Sequence, residues 1–223
     1  KNKITSIAIH NSEDDVYYAF ALDEKKRLTL ESKDNVVILR FDDEFSLLQS
    51  FFQKYLQIKP TIITGWNMDS FDMPYLYNRA CKVVGSNVAD MLSPIQEVQW
   101  NKHRGRYLFA GVSCLDYLGL YKLFTYTQLS SYRLDAVAEF ELGENKIEYD
   151  GTLTDLYEND LNKYIEYNIH DVRLVKRMHD KLDFIDMARG VCHVGHVPYE
   201  DVFFSSRYLE GAILVYLKNL GIV

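Results

Sequence analysis

Residues 61–79, TIITGWNMDSFDMPYLYNR, decide how the rest of the chain is read. Thr61, Ile62 and Ile63 are three consecutive β-favouring residues and predict a short buried strand. Gly65 interrupts it, and Trp66 and Asn67 open a loop. Asp72 and Pro74 then mark the start of a helix that carries Tyr75, Leu76 and Asn78. This order puts Asn67 and Asp72 at the carboxyl end of a strand, where open α/β sheets place their chemistry. The same residues also fit a plainer role, with Asp72 capping the helix and Asn67 holding the turn, because Asp and Asn are the commonest caps.

Composition narrows the class. The 223 residues are 48% hydrophobic and 14% aromatic, with 17 Tyr and 12 Phe against 11 Gly and 4 Pro, enough to bury a full core and too apolar for a disordered chain. No apolar run approaches the ~20 residues a membrane span needs, so no membrane partner is expected. The opening KNKITSIAIH lacks the apolar core and cleavage site of a secretion signal. Cys81, Cys114 and Cys192 form neither a metal knuckle nor an even disulfide set, which fits a reducing, intracellular setting. A net charge of −7 argues against a free-standing basic DNA-binding module. It is compatible with an enzyme whose carboxylates hold cations that meet phosphate.

Outward from the opening stretch, Ile4–Ile9 and Val16–Leu22 predict a hairpin around Asn11–Asp15, and Val36–Phe41 a third strand. Asp42, Asp43 and Glu44 place acid at the start of a helix whose core face is Leu47, Leu48, Phe51, Phe52 and Tyr55. Lys59-Pro60 ends it, and the helix begun near Asp72 closes at Gly85. Gln96–Trp100 and Arg106–Ala110 flank Asn101–Gly105 and predict a protruding, basic-tipped β-hairpin. A strand Val112–Asp116 continues into Tyr117–Lys122. Ser131 is the expected cap of a helix carrying Leu134, Val137, Ala138 and Phe140, closed at Gly143. Asn145–Thr154 reads as loop, Asp160–Ala188 as the longest helix, and Asp201–Leu220 as the last one. The fold class is α/β: one domain with a C-terminal helical extension.

The long helix contains Tyr164–Val172, YIEYNIHDV. Ile165, Ile169, Val172 and Val175 form its apolar stripe, and Tyr167 and Asp171 sit one turn apart on the neighbouring stripe. An aspartate there is costly unless it is paired or binds a metal. Considered alone, it also fits a surface Asp beside a Tyr with its hydroxyl in water.

Together the two patterns, Asn-x-x-x-Phe-Asp after a strand and Tyr-x-x-x-Asp on a helix, resemble the Exo II and Exo III motifs of the 3′–5′ exonuclease domain of family B DNA polymerases, in particular those of large tailed phages. ITGWNMDSFDMPYLYNR, VSCLDYLGLYKLF, LSSYRLDAVAEFELG, YNIHDVRLV and HVPYEDVFFSSRYLEGAIL all carry the likeness, from about Ile4 to the end. The resemblance implies a ribonuclease H-like mixed sheet flanked by helices over residues 1–190, and a helical segment, 191–223, leading towards the palm. It implies a site for two Mg²⁺ or Mn²⁺ ions, with Asp72 and Asp171 as metal ligands and Tyr167 orienting the attacking water or the scissile phosphate. Asn67 and Phe71 would line the channel for a frayed single strand, Phe71 by stacking or wedging. Lys122 would neutralise phosphate charge, unless it is an ordinary surface lysine. The Gln96–Ala110 hairpin stands where the family has a strand-partitioning hairpin, and is short; a solvated turn is the other account. The implied partners are the single-stranded 3′ end of DNA and the remainder of the polymerase, in cis or in trans, in the host cytoplasm of a virus.

One part of the pattern is missing. The family's Exo I motif, Asp-x-Glu on the first strand, supplies two further carboxylates. Asp42-Asp43-Glu44 has the spacing but stands at a helix start, and KITSIAIH resembles the strand that follows Exo I. The chain alone is therefore expected to be a weak or inactive nuclease. It opens on Lys, so it is expected to be a cut piece of a longer polymerase, the alternative being a polymerase encoded in parts. A non-catalytic DNA-binding or docking module and an unrelated ribonuclease H-like nuclease are the competing classes.

Overall fold

The computed structural model describes residues 2–144 and 151–222. In chain order it contains β1 (Ser6–Asn11), β2 (Val16–Leu22), β3 (Val36–Phe41), α1 (Glu44–Ile58), β4 (Ile62–Gly65), α2 (Asp72–Val83), α3 (Ser86–Ala89), β5 (Val98–Asn101), β6 (Arg106–Phe109) and β7 (Ser113–Asp116). There follow α4 (Tyr117–Phe124), α5 (Leu134–Leu142), α6 (Leu153–Asn159), α7 (Leu161–Leu182), α8 (Phe184–Gly195) and α9 (Ser205–Asn219). Short 3-10 turns occupy Asp90–Leu92 and Tyr199–Phe203.

β2 is the centre of a mixed three-stranded sheet, antiparallel to β1 (Ser6↔Ala21 to Asn11↔Val16) and parallel to β3 (Tyr17↔Val36 to Leu22↔Phe41). Its alternation assigns its two faces. Phe20 and Leu22 join Leu47, Leu48, Phe51 and Phe52 of α1 in one core. Tyr17, Ala19 and Ala21 meet Leu161, Ile165 and Ile169 of α7 in another. The small Ala19 and Ala21 let the long helix approach the sheet closely. A third core joins Leu115, Tyr117, Leu120 and Tyr121 to Val175, Met178, Phe184 and Cys192, under α4, α7 and α8. The result is one mixed sheet, one parallel pair and one antiparallel hairpin flanked by helices, in line with the ribonuclease H-like α/β class expected from the sequence.

Several boundaries differ from the sequence expectation, each for a local reason. The Val112–Asp116 run stops at Asp116 because that carboxylate accepts the Leu118 N–H at 3.0 Å and starts α4, so Tyr117–Lys122 is helix and not continuing strand. Arg133, not Ser131, precedes the first turn of α5, while the Ser131 hydroxyl accepts the Arg133 N–H at 3.3 Å. The predicted helix Asp160–Ala188 is two helices, broken at Asp183, whose φ of 56° and ψ of 30° end α7. No Gly or Pro marks that break, and α8 then runs through residues 190–191. The last helix begins at Ser205, after the 3-10 turn, and not at Asp201. Of the expected loop Asn145–Thr154, residues 145–150 lie outside the described residues; Thr152 forms a capping box with Asp155 that starts α6.

Asp43 and Glu44 of the Asp42–Glu44 acids are structural. Asp43 caps α1 by accepting the Ser46 N–H at 2.8 Å. Glu44, 6% exposed, accepts the Ile4 N–H at 2.7 Å and two bonds from Arg79, at 2.7 and 2.6 Å. This buried pair ties the chain entering β1 to both α1 and α2. Glu44→Ala removes the acceptor of the Ile4 N–H and of two Arg79 bonds, and is expected to cost about 2 kcal/mol. Urea denaturation measures it, and an unchanged midpoint would show that the pair contributes nothing to stability.

Candidate active site

The site is built where two parallel strands end together. β4 and β7 pair in the register Ile62↔Ser113 through Gly65↔Asp116, and the Thr64 hydroxyl donates to the Leu115 carbonyl at 2.7 Å. Gly65 is followed by a loop held from several sides. The Asn67 N–H donates to Asp116 Oδ1 at 3.0 Å and the Asp69 N–H to Asp116 Oδ2 at 3.2 Å. Trp66 Nε1 donates to the Tyr132 carbonyl at 3.1 Å. Met68 plugs the core at 3% exposure, so tightly that a Cβ on Gly65 would lie 3.3 Å from the Met68 Cβ. Asn67 takes a left-handed φ of 58°, which Asn tolerates better than most residues. Its carbonyl accepts the Ser70 and Phe71 N–H groups at 3.3 and 3.2 Å, turning the chain into α2.

This loop presents three of the sequence-predicted residues to solvent. Asn67 and Asp72 are exposed, and Phe71 is 65% exposed with its ring 6.1 Å from that of Tyr75, 19° from parallel. Asp72 is the first residue of α2, and the N-cap position belongs to Phe71, so Asp72 is not the helix cap. Solvent reaches Asp72, yet protein surrounds it on most sides, as in a recess. The desolvation this causes pushes its carboxyl up to about 6; its own backbone N–H opposes the rise, and the negative charge of Asp116 adds to it. Asp72 thus carries a poorly compensated negative charge within reach of solvent, the condition under which a cation binds well.

The other half lies on α7. Tyr167 and Asp171 are half-buried and one turn apart. The helix is fixed against β1 and the chain entering it by Tyr164, whose hydroxyl is 2.7 Å from the Thr5 hydroxyl, and by Asn168, which accepts from the Ser6 hydroxyl at 3.1 Å. Asp171 follows Asn168 by three residues on the same side. Lys122 is exposed in the last turn of α4, its Nζ 4.8 Å from the Tyr132 ring, and so next to the segment that Trp66 holds.

The structure therefore groups Asn67, Phe71 and Asp72 in one loop, and Tyr167 and Asp171 on one helix. Among the described residues it does not bring Asp72 or Asp171 into a group of three His, Cys, Asp or Glu side chains whose ligand atoms lie within 4.8 Å of one another. The group that meets this condition is His179, Asp183 and Asp186, at the α7–α8 junction. There Asp186 is already paired with Arg189 at 2.5 Å.

The sequence reading missed three residues. Asp116, 9% exposed, underlies the loop; Asp69 forms an ion pair with Arg106 of β6, a residue only 6% exposed. Asp116 could have been found by the reasoning that selected Asp72, being an acid at a strand's carboxyl end. Nothing in the alternation of the hairpin marked Arg106. That hairpin is also tied down at its tip: Arg104 donates to Asp201 at 3.1 Å and lies 4.4 Å from the Phe204 ring.

The fold and the placement of this loop define an α/β domain with an acidic loop at the carboxyl end of a parallel strand pair. Residues 4–137 match the family described as DNA polymerase family B, exonuclease domain, and the chain belongs to that family. It is 32% identical to the DNA-directed DNA polymerase of Escherichia phage RB69, over 98% of this chain and 27% of that protein. The DNA-directed DNA polymerase of Enterobacteria phage T4 is 31% identical over 97% of this chain and 27% of its own length. DNA polymerase 1 of Saccharolobus solfataricus is 34% identical over 65% of this chain and 16% of that protein. The chain thus spans about a quarter of the phage relatives' length. Among the described residues no helix is long and apolar enough to cross a membrane.

The raised pKa of Asp72 has a definite sign for stability. A carboxyl titrating near 6 when folded and near its ordinary value of about 4 when unfolded binds more protons folded, so stability falls as pH rises through that window. Asp72→Asn removes this cost. Its melting temperature is expected to exceed that of the unchanged chain at pH 7.5 and to match it at pH 4, by thermal unfolding monitored with circular dichroism. A melting temperature lowered equally at both pH values would contradict the recessed, uncompensated carboxylate.

Proposed function

We propose that this chain is the proofreading 3′–5′ exonuclease portion of a replicative family B DNA polymerase, acting on the single-stranded 3′ end of DNA in a virus-infected host cell, with the remainder of the polymerase as its partner. The observation that carries this reading is the Asp72 carboxylate in its recess, one residue after an exposed aromatic ring, at the carboxyl end of β4. Asp72 and Asp171 offer oxygen donors alone, the ligand type that suits Mg²⁺ or Mn²⁺, and the unneutralised charge of Asp72 fits such a cation. When bound, divalent ions lower the pKa of the attacking water and neutralise charge gathering on the phosphate. The chain's own residues do the rest. Asp72 and Asp171 hold the ions, and the Tyr167 hydroxyl orients the water or the phosphate. Phe71 stacks on or wedges behind the terminal base, the Asn67 amide lines the channel, and Lys122 offsets phosphate charge.

The site is incomplete in this chain. Asp43 and Glu44 are committed to the α1 cap and to Arg79, and so cannot supply the missing carboxylates. β1 and β4 each end their sheet with one unpaired edge among the described residues. A further strand bearing Asp-x-Glu would pair there, contributed by the same polymerase in cis or by a second chain. The alternative is a non-catalytic DNA-binding or docking piece of a polymerase, favoured by the absence of a third converging acid beside Asp72 among the described residues.

Two assays separate these readings. Labelled oligothymidylate should bind the chain more tightly than blunt duplex, and Phe71→Ala should weaken that binding by roughly tenfold, the usual loss for one stacked base. Incubation of the same oligonucleotide with Mn²⁺ should give little or no cleavage. Rapid cleavage abolished by Asp72→Ala would show the site to be complete, and equal affinity for blunt duplex would argue against a 3′-end site.

A further inference from the structure

We propose that Asp116 is the positioning residue of the site, and that with the buried Asp69–Arg106 pair it sets where Asn67, Phe71 and Asp72 stand. The proposal rests on the reading of this loop as the nuclease site. A plainer account makes Asp116 the N-cap of α4, since it accepts the Leu118 N–H. That account covers the bonds on the α4 side, from the Leu118 and Gly119 N–H groups. The other two run to Asn67 and Asp69, 49 and 47 residues earlier, and engage both carboxylate oxygens. A cap needs only a neutral Ser, Thr or Asn, whereas a carboxylate buried to 9% exposure is costly unless its acceptors are filled. The charge at Asp116 therefore answers to the loop more than to α4.

The loop has the form of an element that must be held. Asn67 occupies a left-handed conformation that costs a non-glycine residue free energy, and its N–H is fixed by Asp116. From there the chain has no slack. The Asn67 carbonyl accepts from Ser70 and Phe71, and the Met68 carbonyl accepts the Met73 N–H at 3.0 Å. Fixing the amides of residues 67 and 69 therefore fixes the start of α2, and with it Asp72. Arg106 acts from the side: its guanidinium pairs with the Asp69 side chain, while its buried Nε has no hydrogen-bond partner. Through it, strand β6 of the hairpin bears directly on the loop.

The test is made on this chain by amide hydrogen exchange and by DNA binding. In Asp116→Asn, exchange at the Asn67 and Asp69 amides should accelerate by about tenfold or more, while β2 amides and the melting temperature stay near those of the unchanged chain. Asp69→Asn, which removes the ion pair but keeps the backbone bond, should accelerate the same two amides less; it also serves if Asp116→Asn does not fold. Unchanged exchange at both amides in both variants overturns the proposal. In a double-mutant cycle, Asp116→Asn should weaken oligothymidylate binding several-fold in the unchanged background and scarcely at all in Phe71→Ala, because Asp116 acts through the loop that carries Phe71. Equal weakening in both backgrounds overturns it as well. If the unchanged chain binds no oligothymidylate, the nuclease reading fails, and amide exchange alone decides the positioning role.

Discussion

The structure depends on two parallel strands ending side by side. Because Gly65 of β4 lies opposite Asp116 of β7, the loop that leaves one strand falls directly over the side chain that closes the other. Parallel strands are joined by long crossovers, and here the crossover contains α2, α3 and the β5–β6 hairpin, so the elements around Asp72 are anchored to this pair. Asn67, Phe71 and Asp72 are exposed at the end of this pair, where the two strands run in register.

Charge sets Asp72 apart from the acids that serve the fold. Glu44 is buried and answered by Arg79 and the Ile4 amide; Asp69 is answered by Arg106; Asp43 and Asp155 cap helices. Asp72 differs. Burial around it and the charge of Asp116 both raise its pKa, and its own backbone N–H opposes them. A carboxylate kept in that condition is unfavourable for the folded chain alone and favourable once a cation arrives. In the proposed function, a chain of net charge −7 acts on a polyanion in this way, through ions held by its carboxylates instead of a basic surface.

Much of this was legible in the sequence because it follows local rules. The β2 alternation, the α1 stripe Leu47–Tyr55, the stop at Lys59-Pro60 and the Gly143 end of α5 all reflect periodicity and caps, and all stand where those rules place them. Asp72 and the Tyr167–Asp171 pair were selected by the same reasoning, and by likeness to family B exonuclease domains. What was not legible depends on contacts distant in sequence. The break at Asp183 has no Gly or Pro to announce it. The end of β7 is set by a side chain that also bonds a loop 47 residues away. Arg106 is buried because Asp69 waits for it, and hairpin alternation cannot show a partner 37 residues distant.

The central proposal is that Asp72, at the start of α2, and Asp171, on α7, hold a cation together. Titrating the isotopically labelled chain with Mn²⁺ and following paramagnetic broadening of its amide resonances tests this most directly, because broadening reports weak occupancy of an incomplete site. The account predicts that resonances around Asp72 and around Tyr167–Asp171 broaden together at the same Mn²⁺ concentrations, and that both are spared in Asp72→Asn. Broadening confined to His179, Asp183 and Asp186, or at Asp171 alone and unaffected by Asp72→Asn, would contradict it.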